Sequence, residues 1–276
     1  VVPSNRDPTR IRACLDALCA QEYPHEQYEA IVVDDGARAP LAPVVDALAG
    51  SLRARVLRQD PAGPAAARNA GARLATGRFL AFTDDDCVPE PDWLRRLADT
   101  LVERPDTLVG GMVENLLEDN RYAAATQRLI DFVETAYGAD SPRRFFTTCN
   151  LAVSRDAFLA LRGFDESFTL PGGEDREFCE RWRAHGRALV AAPLARVGHA
   201  HATRLRTFVH QHRSYGRGAY RLTRRRRESA SLGLTPEPLG FYLRLVRSPL
   251  GRLSLPAALA QAALLGLAQL ATLAGY

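Results

Sequence analysis

Three adjacent carboxylates, Asp84, Asp85 and Asp86, follow the apolar run Phe79-Leu80-Ala81-Phe82. At the end of a buried strand they repel one another and lose hydration, so their charged form calls for a counter-charge. A divalent cation is a compact one, and hard ions such as Mg²⁺ or Mn²⁺ take carboxylate and phosphate oxygens together. The run points to a metal-bound diphosphate; the plainer alternative is a solvated Asp-rich turn. A second apolar run, Ala30-Ile31-Val32-Val33, ends in Asp34-Asp35-Gly36. A third signal, Gly172-Gly173-Glu174-Asp175, brings two acids to the start of a helix through a glycine-flexed loop.

These acids need elements that bring them together. Short Val/Ile-rich runs bounded by turn residues read as buried strands of an α/β sheet. Ligands of open α/β sheets sit outside the carboxyl ends of the strands, so two strands with acids at that end predict one shared site. Strands are expected near 29–34, 54–58 and 78–83, with helices near 39–50 and 64–75. This alternation implies a mostly parallel central sheet flanked by helices. Asp7-Pro8 is expected to cap and open a helix that runs to about Glu22 on Ile11, Leu15 and Leu18. Pro89–Leu94 opens another, Leu108–Val113 is a strand, and 119–137 is helical.

Taken in order, Val1-Val2-Pro3-Ser4, Val33-Asp34-Asp35-Gly36, Ala67-Arg68-Asn69-Ala70-Gly71, Asp84-Asp85-Asp86 and Gly173-Glu174-Asp175 resemble a family 2 glycosyltransferase of the GT-A fold. The resemblance covers about residues 1–200. It implies metal-dependent transfer of a sugar, with inversion, from a nucleotide-diphosphate donor to an acceptor hydroxyl. It implies that Pro3, Ser4 and Asp35 contact the base, Asp84 the ribose, and that Asp85 belongs to the donor site. Asp84 and Asp86 would hold Mg²⁺ or Mn²⁺. Arg68 would lie near the diphosphate or base, with a helix-surface ion pair as the alternative. Asp175 is the implied catalytic base and Glu174 its neighbour. Repulsion between the two raises an acid's pKa while the helix N-terminus lowers it. On the acceptor side the resemblance points to Asn150, in Phe145–Val153, and to Trp182. The alternatives are local backbone bonding for Asn150 and core packing for Trp182, four residues after Phe178. His199 is implied as a further metal ligand, and a His-x-His pair on a strand would turn His201 to the same side; ordinary surface histidines are the alternative.

Two other classes share some of these features. A nucleotidyltransferase also binds a metal nucleotide, but there is no Gly-rich phosphate loop followed by lysine. An inactive binding or scaffold domain would keep the fold and lose acids, and here every acid is present.

The chain of 276 residues suffices for one large α/β core with a small appendage. It opens on Val1 inside an apolar run, which suggests a first strand that begins upstream. All its side-chain cations besides histidine are arginine, a bias that GC-rich coding explains more simply than phosphate recognition does. The five cysteines, Cys14, Cys19, Cys87, Cys149 and Cys179, form no Cys-x-x-Cys pair. Their scatter argues against structural zinc or a disulfide framework and favours a reducing cytoplasm.

Charge divides the chain. Residues 196–252 hold 13 Arg against Glu228 and Glu237, a net +11, whereas residues 1–195 are net −7. The expected organisation is a catalytic domain at 1–202 and a basic, helical extension at 203–276, whose uncharged Leu/Ala segment 253–276 could meet or span a bilayer. Arg244, Arg247 and Arg252 beside it fit a cytoplasmic membrane edge. The expected partners are a nucleotide sugar, a glycan or lipid-linked acceptor of envelope or exopolysaccharide synthesis, and the inner face of the plasma membrane. Nucleic acid is not expected, since no binding motif accompanies the basic tract.

Overall fold

The computed structural model describes residues 1–5, 8–139, 141–201, 204–228 and 237–276. These fall into two compact units. The first comprises Val1–Glu114, Phe145–Thr169 and Glu174–His199; the second comprises Asn115–Arg144, Leu170–Gly173 and Ala200–Tyr276. A single boundary near residue 202 was expected, but the chain enters the second unit twice before that point.

In the first unit the chain runs β1 (Val2–Ser4), α1 (Pro8–Cys19), β2 (Ala30–Asp35), α2 (Ala42–Asp46), β3 (Ala54–Gln59), α3 (Pro64–Leu74), β4 (Phe79–Phe82), β5 (Cys87–Pro89), α4 (Trp93–Glu103) and β6 (Leu108–Asn115). After α5 (Arg121–Ala136) it returns through β7 (Leu151–Ser154), α6 (Arg155–Ala160), α7 (Glu174–Ala184) and β8 (Leu189–His199). Strands β1, β2 and β3 pair in parallel. The Val1 nitrogen donates to the Ala81 carbonyl at 2.7 Å, and the Val1 carbonyl accepts from Thr83 N–H at 3.3 Å. This is parallel bonding, and it sets β4 beside β1. The other sheet has the order β4-β7-β6-β8-β5. There β7 pairs antiparallel with β4 and β6, and β5 antiparallel with β8. The parallel character expected of the whole sheet thus belongs to β1, β2 and β3 and to the contact of β1 with β4. Helix α2 is shorter than expected, and the expected cap Asp7 lies outside the described residues.

The core explains the strand sequences. Residues of β2 are buried throughout, as a strand covered on both faces requires. Val32 packs on the side of Ile11, Leu15 and Trp93, while Ile31 and Val33 pack with Phe82, Phe158 and Phe178. Gly71 lets α3 approach, since a Cβ there would lie 2.5 Å from Val1 Cγ1 and 3.0 Å from Val33 Cγ2.

The second unit is built from α5, α8 (Leu205–Glu228), α9 (Leu239–Arg247) and α10 (Leu255–Gly275). Tyr122 of α5 meets Phe208 of α8, and Gln261 of α10 donates to the Arg121 carbonyl at 3.2 Å. Glu237 accepts from Tyr137 and Arg143. Helices α8 and α10 touch backbone to backbone: a Cβ on Gly216 would lie 1.9 Å from the Thr272 carbonyl oxygen, and one on Gly275 2.0 Å from that of Arg213. One face of α10 is buried through Ala258, Gln261, Leu265, Ala268 and Ala271, while Leu255, Leu259, Leu270 and Leu273 are exposed. By length and composition α10 could cross a membrane.

Candidate active site

The parallel strands deliver their acids to one edge. The side chains of Ser4, Asp34 and Asp35 follow from β1 and β2, and Asp84–Asp86 follow β4. The two aspartates of β2 do different work. Asp34 is buried and closes the turn after its strand, accepting from Ala37 N–H at 2.9 Å and from Arg58 Nη1 at 3.0 Å. Asp35 accepts from Gln59 Nε2 and Ala62 N–H, both at 2.8 Å, and from Gly63 N–H at 2.9 Å. It thereby fixes the loop that leads into α3. Four carboxylate lone-pair sites leave Asp35 one acceptor position beyond those three bonds.

Each acid of the triplet has a different partner. Asp84 receives Arg68 Nη2 at 2.6 Å. Asp85, buried, receives the Ser4 hydroxyl at 2.5 Å and lies 3.7 Å from Arg10 Nε. Burial and the neighbouring Asp86 push its pKa up to about 6, against the opposing pull of Ser4 and Arg10. Asp86 lies 2.6 Å from Arg10 Nη2 and 3.2 Å from His199 Nε2. Burial alone would favour its acid form, but His199 and Arg10 outweigh burial and hold the carboxyl well below the usual range. Burial likewise works against the His199 cation, yet Asp86 raises its pKa to about 9. Asp86 is thus an anion matched by cations. Arg10 sits on α1 outside every motif, so only the folded arrangement reveals it.

Arg68 joins the triplet to α7. It is 4% exposed, and its Nη1 donates to Glu174 Oε1 at 3.1 Å while Nη2 holds Asp84. Desolvation disfavours its charge, but the two carboxylates more than restore it. Glu174 is buried by this arrangement. Asp175, the next residue, is partly exposed and accepts the Arg176 N–H at 2.7 Å. Burial pushes its carboxyl up despite Arg176 and Arg68. Gly172 and Gly173 precede it at φ 114° and 97°, backbone that a side chain would strain.

The other residues of these motifs are positioning groups. Asn69, beside Arg68, donates to the Phe164 carbonyl at 2.8 Å and accepts Phe164 N–H at 2.9 Å. It pins α3 to the Gly163-Phe164-Asp165-Glu166 turn. Gly163 (φ 64°) is required there, because a Cβ would lie 2.3 Å from Asn69 Oδ1.

Two expected acceptor residues are corrected. Asn150 is 1% exposed, donates to the carbonyls of Met112 (2.8 Å) and Ala195 (2.9 Å), and accepts Trp93 Nε1 at 2.8 Å. Its amide is used inside the sheet. Trp182 is fully buried, packs against Phe178 and donates to the Ala188 carbonyl at 3.0 Å. Neither side chain can face an acceptor. His201 also departs from expectation: β8 ends at His199, and His201 pairs with Gln127 Oε1 at 2.9 Å. The remaining candidates, Pro3, Ser4, Asp35, Arg68, Asp84, Asp85, Asp86, Glu174, Asp175 and His199, all belong to the first unit.

Asp84, Asp86 and His199 supply two carboxylates and one imidazole, a donor set that suits Mn²⁺ and, through its oxygens, Mg²⁺. Asp86 is paired with Arg10 and His199, and Asp84 with Arg68, so a divalent ion at these carboxylates would take the place of those cations.

Known proteins share the family and the fold of this chain. The profile described as glycosyl transferase family 2 matches residues 1–162, and one described as the N-terminal domain of galactosyltransferase matches residues 130–211. The glycosyltransferase AglE of Haloferax volcanii is 32% identical over 159 residues, covering 56% of this chain and 52% of that protein. A pre-mycofactocin glycosyltransferase of Mycobacterium tuberculosis is 31% identical over 195 residues, covering 68% of this chain and 41% of that protein. The chain thus spans about half or less of the length of these curated relatives. Among solved structures, the mannosyltransferase PcManGT from Pyrobaculum calidifontis, in complex with GDP-Man and Mn²⁺, superposes with a TM-score of 0.64 at 21% identity, over 96% of this chain and 72% of that one. S. aureus TarS gives 0.58 at 16% identity, over 98% and 52%. At these identities the likeness is one of fold.

Proposed function

This chain belongs to glycosyl transferase family 2, and we propose that it moves a sugar, with inversion, from a nucleotide-diphosphate donor to an acceptor hydroxyl. The observation that carries the reading is Arg68. One buried guanidinium ties Asp84, on the donor side, to Glu174, beside the residue proposed as base. Donor and acceptor chemistry then share one rigid support.

Pro3, Ser4 and Asp35 form the nucleotide side of the site, and Asp84 and Asp85 line the path to the diphosphate. Asp84, Asp86 and His199 would hold Mn²⁺ or Mg²⁺. Such an ion supplies Lewis-acid stabilisation of charge on the departing diphosphate. Asp175 takes the proton of the attacking hydroxyl. Its raised pKa brings it toward the range where a general base works well, and its partial exposure leaves it reachable. A single base opposite the leaving group gives inversion at the anomeric carbon.

The acceptor is proposed to be a glycan or lipid-linked molecule met at the cytoplasmic membrane surface. The support is the exposed face of α10, Leu255, Leu259, Leu270 and Leu273, with Arg244, Arg247 and Arg252 close by in sequence. Arginine near an anionic leaflet contributes roughly 1 kcal/mol each.

A thermal-shift panel of nucleoside diphosphates, with and without Mn²⁺, tests the donor reading. One base should raise the melting temperature only when Mn²⁺ is present; no shift with any diphosphate would refute it. Flotation with anionic vesicles, before and after a high-salt wash, tests the membrane reading. Failure of the full chain to float at low salt would refute that part alone.

A further inference from the structure

Cys87 and Cys149 lie next to His199, and the proposed transfer chemistry uses neither sulfur. Cys87 and His199 are directly opposed in the antiparallel β5–β8 pair, so their side chains share a face. Cys149 arrives from the turn Thr148–Asn150 that precedes β7. One ligand atom from each of the three lies within 4.8 Å of the others. Cys149 Sγ donates to Thr147 Oγ1 at 3.3 Å. Both cysteines are buried and neither is in a disulfide.

We propose that Cys87, Cys149 and His199 bind a thiophilic divalent cation of the Zn²⁺ class, with the fourth position left to an exogenous ligand. Two thiolates and an imidazole select soft or borderline ions over Mg²⁺ and Mn²⁺. Zn–S bonds of about 2.3 Å in a tetrahedron set sulfurs roughly 3.8 Å apart, inside the 4.8 Å that bounds the ligand atoms of this cluster. Asp86 adjoins the three without joining them: its Oδ1 lies 3.9 Å from Cys87 Sγ and 3.2 Å from His199 Nε2. Binding converts two thiols to thiolates and the imidazolium to imidazole, with the protons released to solvent. His199 cannot serve two ions at once, so a thiophilic ion takes it from a hard one and shuts off donor binding. That exclusion rests on the metal role proposed for His199; the thiophilic site does not.

The probe is Co²⁺, titrated anaerobically into the reduced full chain. One equivalent should give thiolate-to-cobalt charge-transfer absorption in the near ultraviolet and the intense visible bands of tetrahedral cobalt, both bleached by Zn²⁺. Cys87→Ser and Cys149→Ser should each lose or sharply diminish the charge-transfer band, while Cys19→Ser keeps it. Weak octahedral bands alone, or a charge-transfer band that survives Cys87→Ser together with Cys149→Ser, would overturn the site. X-ray absorption at the zinc edge of the unaltered protein needs no variant: two sulfur neighbours support the site and none refutes it. If the zinc-loaded protein still binds Mn²⁺ fully, the shared-ligand exclusion is overturned while the sulfur site stands.

Discussion

Arg68 and Glu174, on different helices and 106 positions apart, meet through a buried 3.1 Å ion pair, and the same guanidinium holds Asp84 at 2.6 Å. Removing one partner of a buried pair leaves charge without compensation, at a cost of about 3–5 kcal/mol. Arg68→Ala should therefore destabilise the fold by about that amount in urea unfolding. Arg68→Lys should recover only part of it, since a point charge cannot fork between two carboxylates. A loss under ~1 kcal/mol for Arg68→Ala would show the bridge to be incidental.

Asp86→Ala should abolish Mn²⁺-dependent binding of a nucleoside diphosphate in calorimetry, and Asp84→Ala should weaken the nucleotide more than the ion. The distinction follows from their partners: Asp86 faces His199 and Arg10, Asp84 faces Arg68. Equal Mn²⁺ affinity in Asp86→Ala and the parent protein would remove Asp86 from the metal set.

Asp175→Asn should keep donor affinity while turnover falls by ~10²–10⁴-fold, the usual contribution of a general base. Asn retains the shape and cannot take the proton. Near-normal turnover at saturating acceptor would exclude Asp175 as the base.

His212 sets a pH dependence of stability. It is fully buried on α8 against Phe208 and Tyr215, and burial lowers its pKa to about 4 from 6.5. Below pH 6.5 the unfolded chain takes up a proton that the folded chain refuses, so stability falls from pH 6.5 down to about 4. At 1.36 kcal/mol per unit the loss from this group is up to roughly 3 kcal/mol. Denaturant titrations at pH 7 and pH 5 should show the decline, and His212→Phe should flatten its slope. An unchanged slope would mean that His212 is protonated in the fold.

The donor half of the site was legible because its signal is local. An apolar run that stops at an aspartate announces both a strand and its functional end, and β2 and β4 fall where their sequences put them. The antiparallel half was not, because β5 and β7 are too short to display a period, and strand partners are chosen by the whole core. Asn150 and Trp182 misled for a related reason. Both have side chains suited to sugar recognition, and both spend that capacity on carbonyls inside the protein. Arg10 carried no signal at all: it is one arginine among several on an exposed helix face, given its role by a loop 76 positions away. The Cys87–Cys149–His199 cluster was hidden in the same way, since its members converge only through strand pairing.

The reciprocal contact of Gly216 with Thr272 and Gly275 with Arg213 has an evolutionary corollary. Each glycine is the space into which the other helix's backbone fits, so neither is free to drift alone. Relatives that carry a packed tail of this kind should hold small residues at both positions together, while relatives that lost the tail should vary at the first. The two glycines are thus a fingerprint by which inheritance of the appendage can be followed separately from that of the catalytic fold.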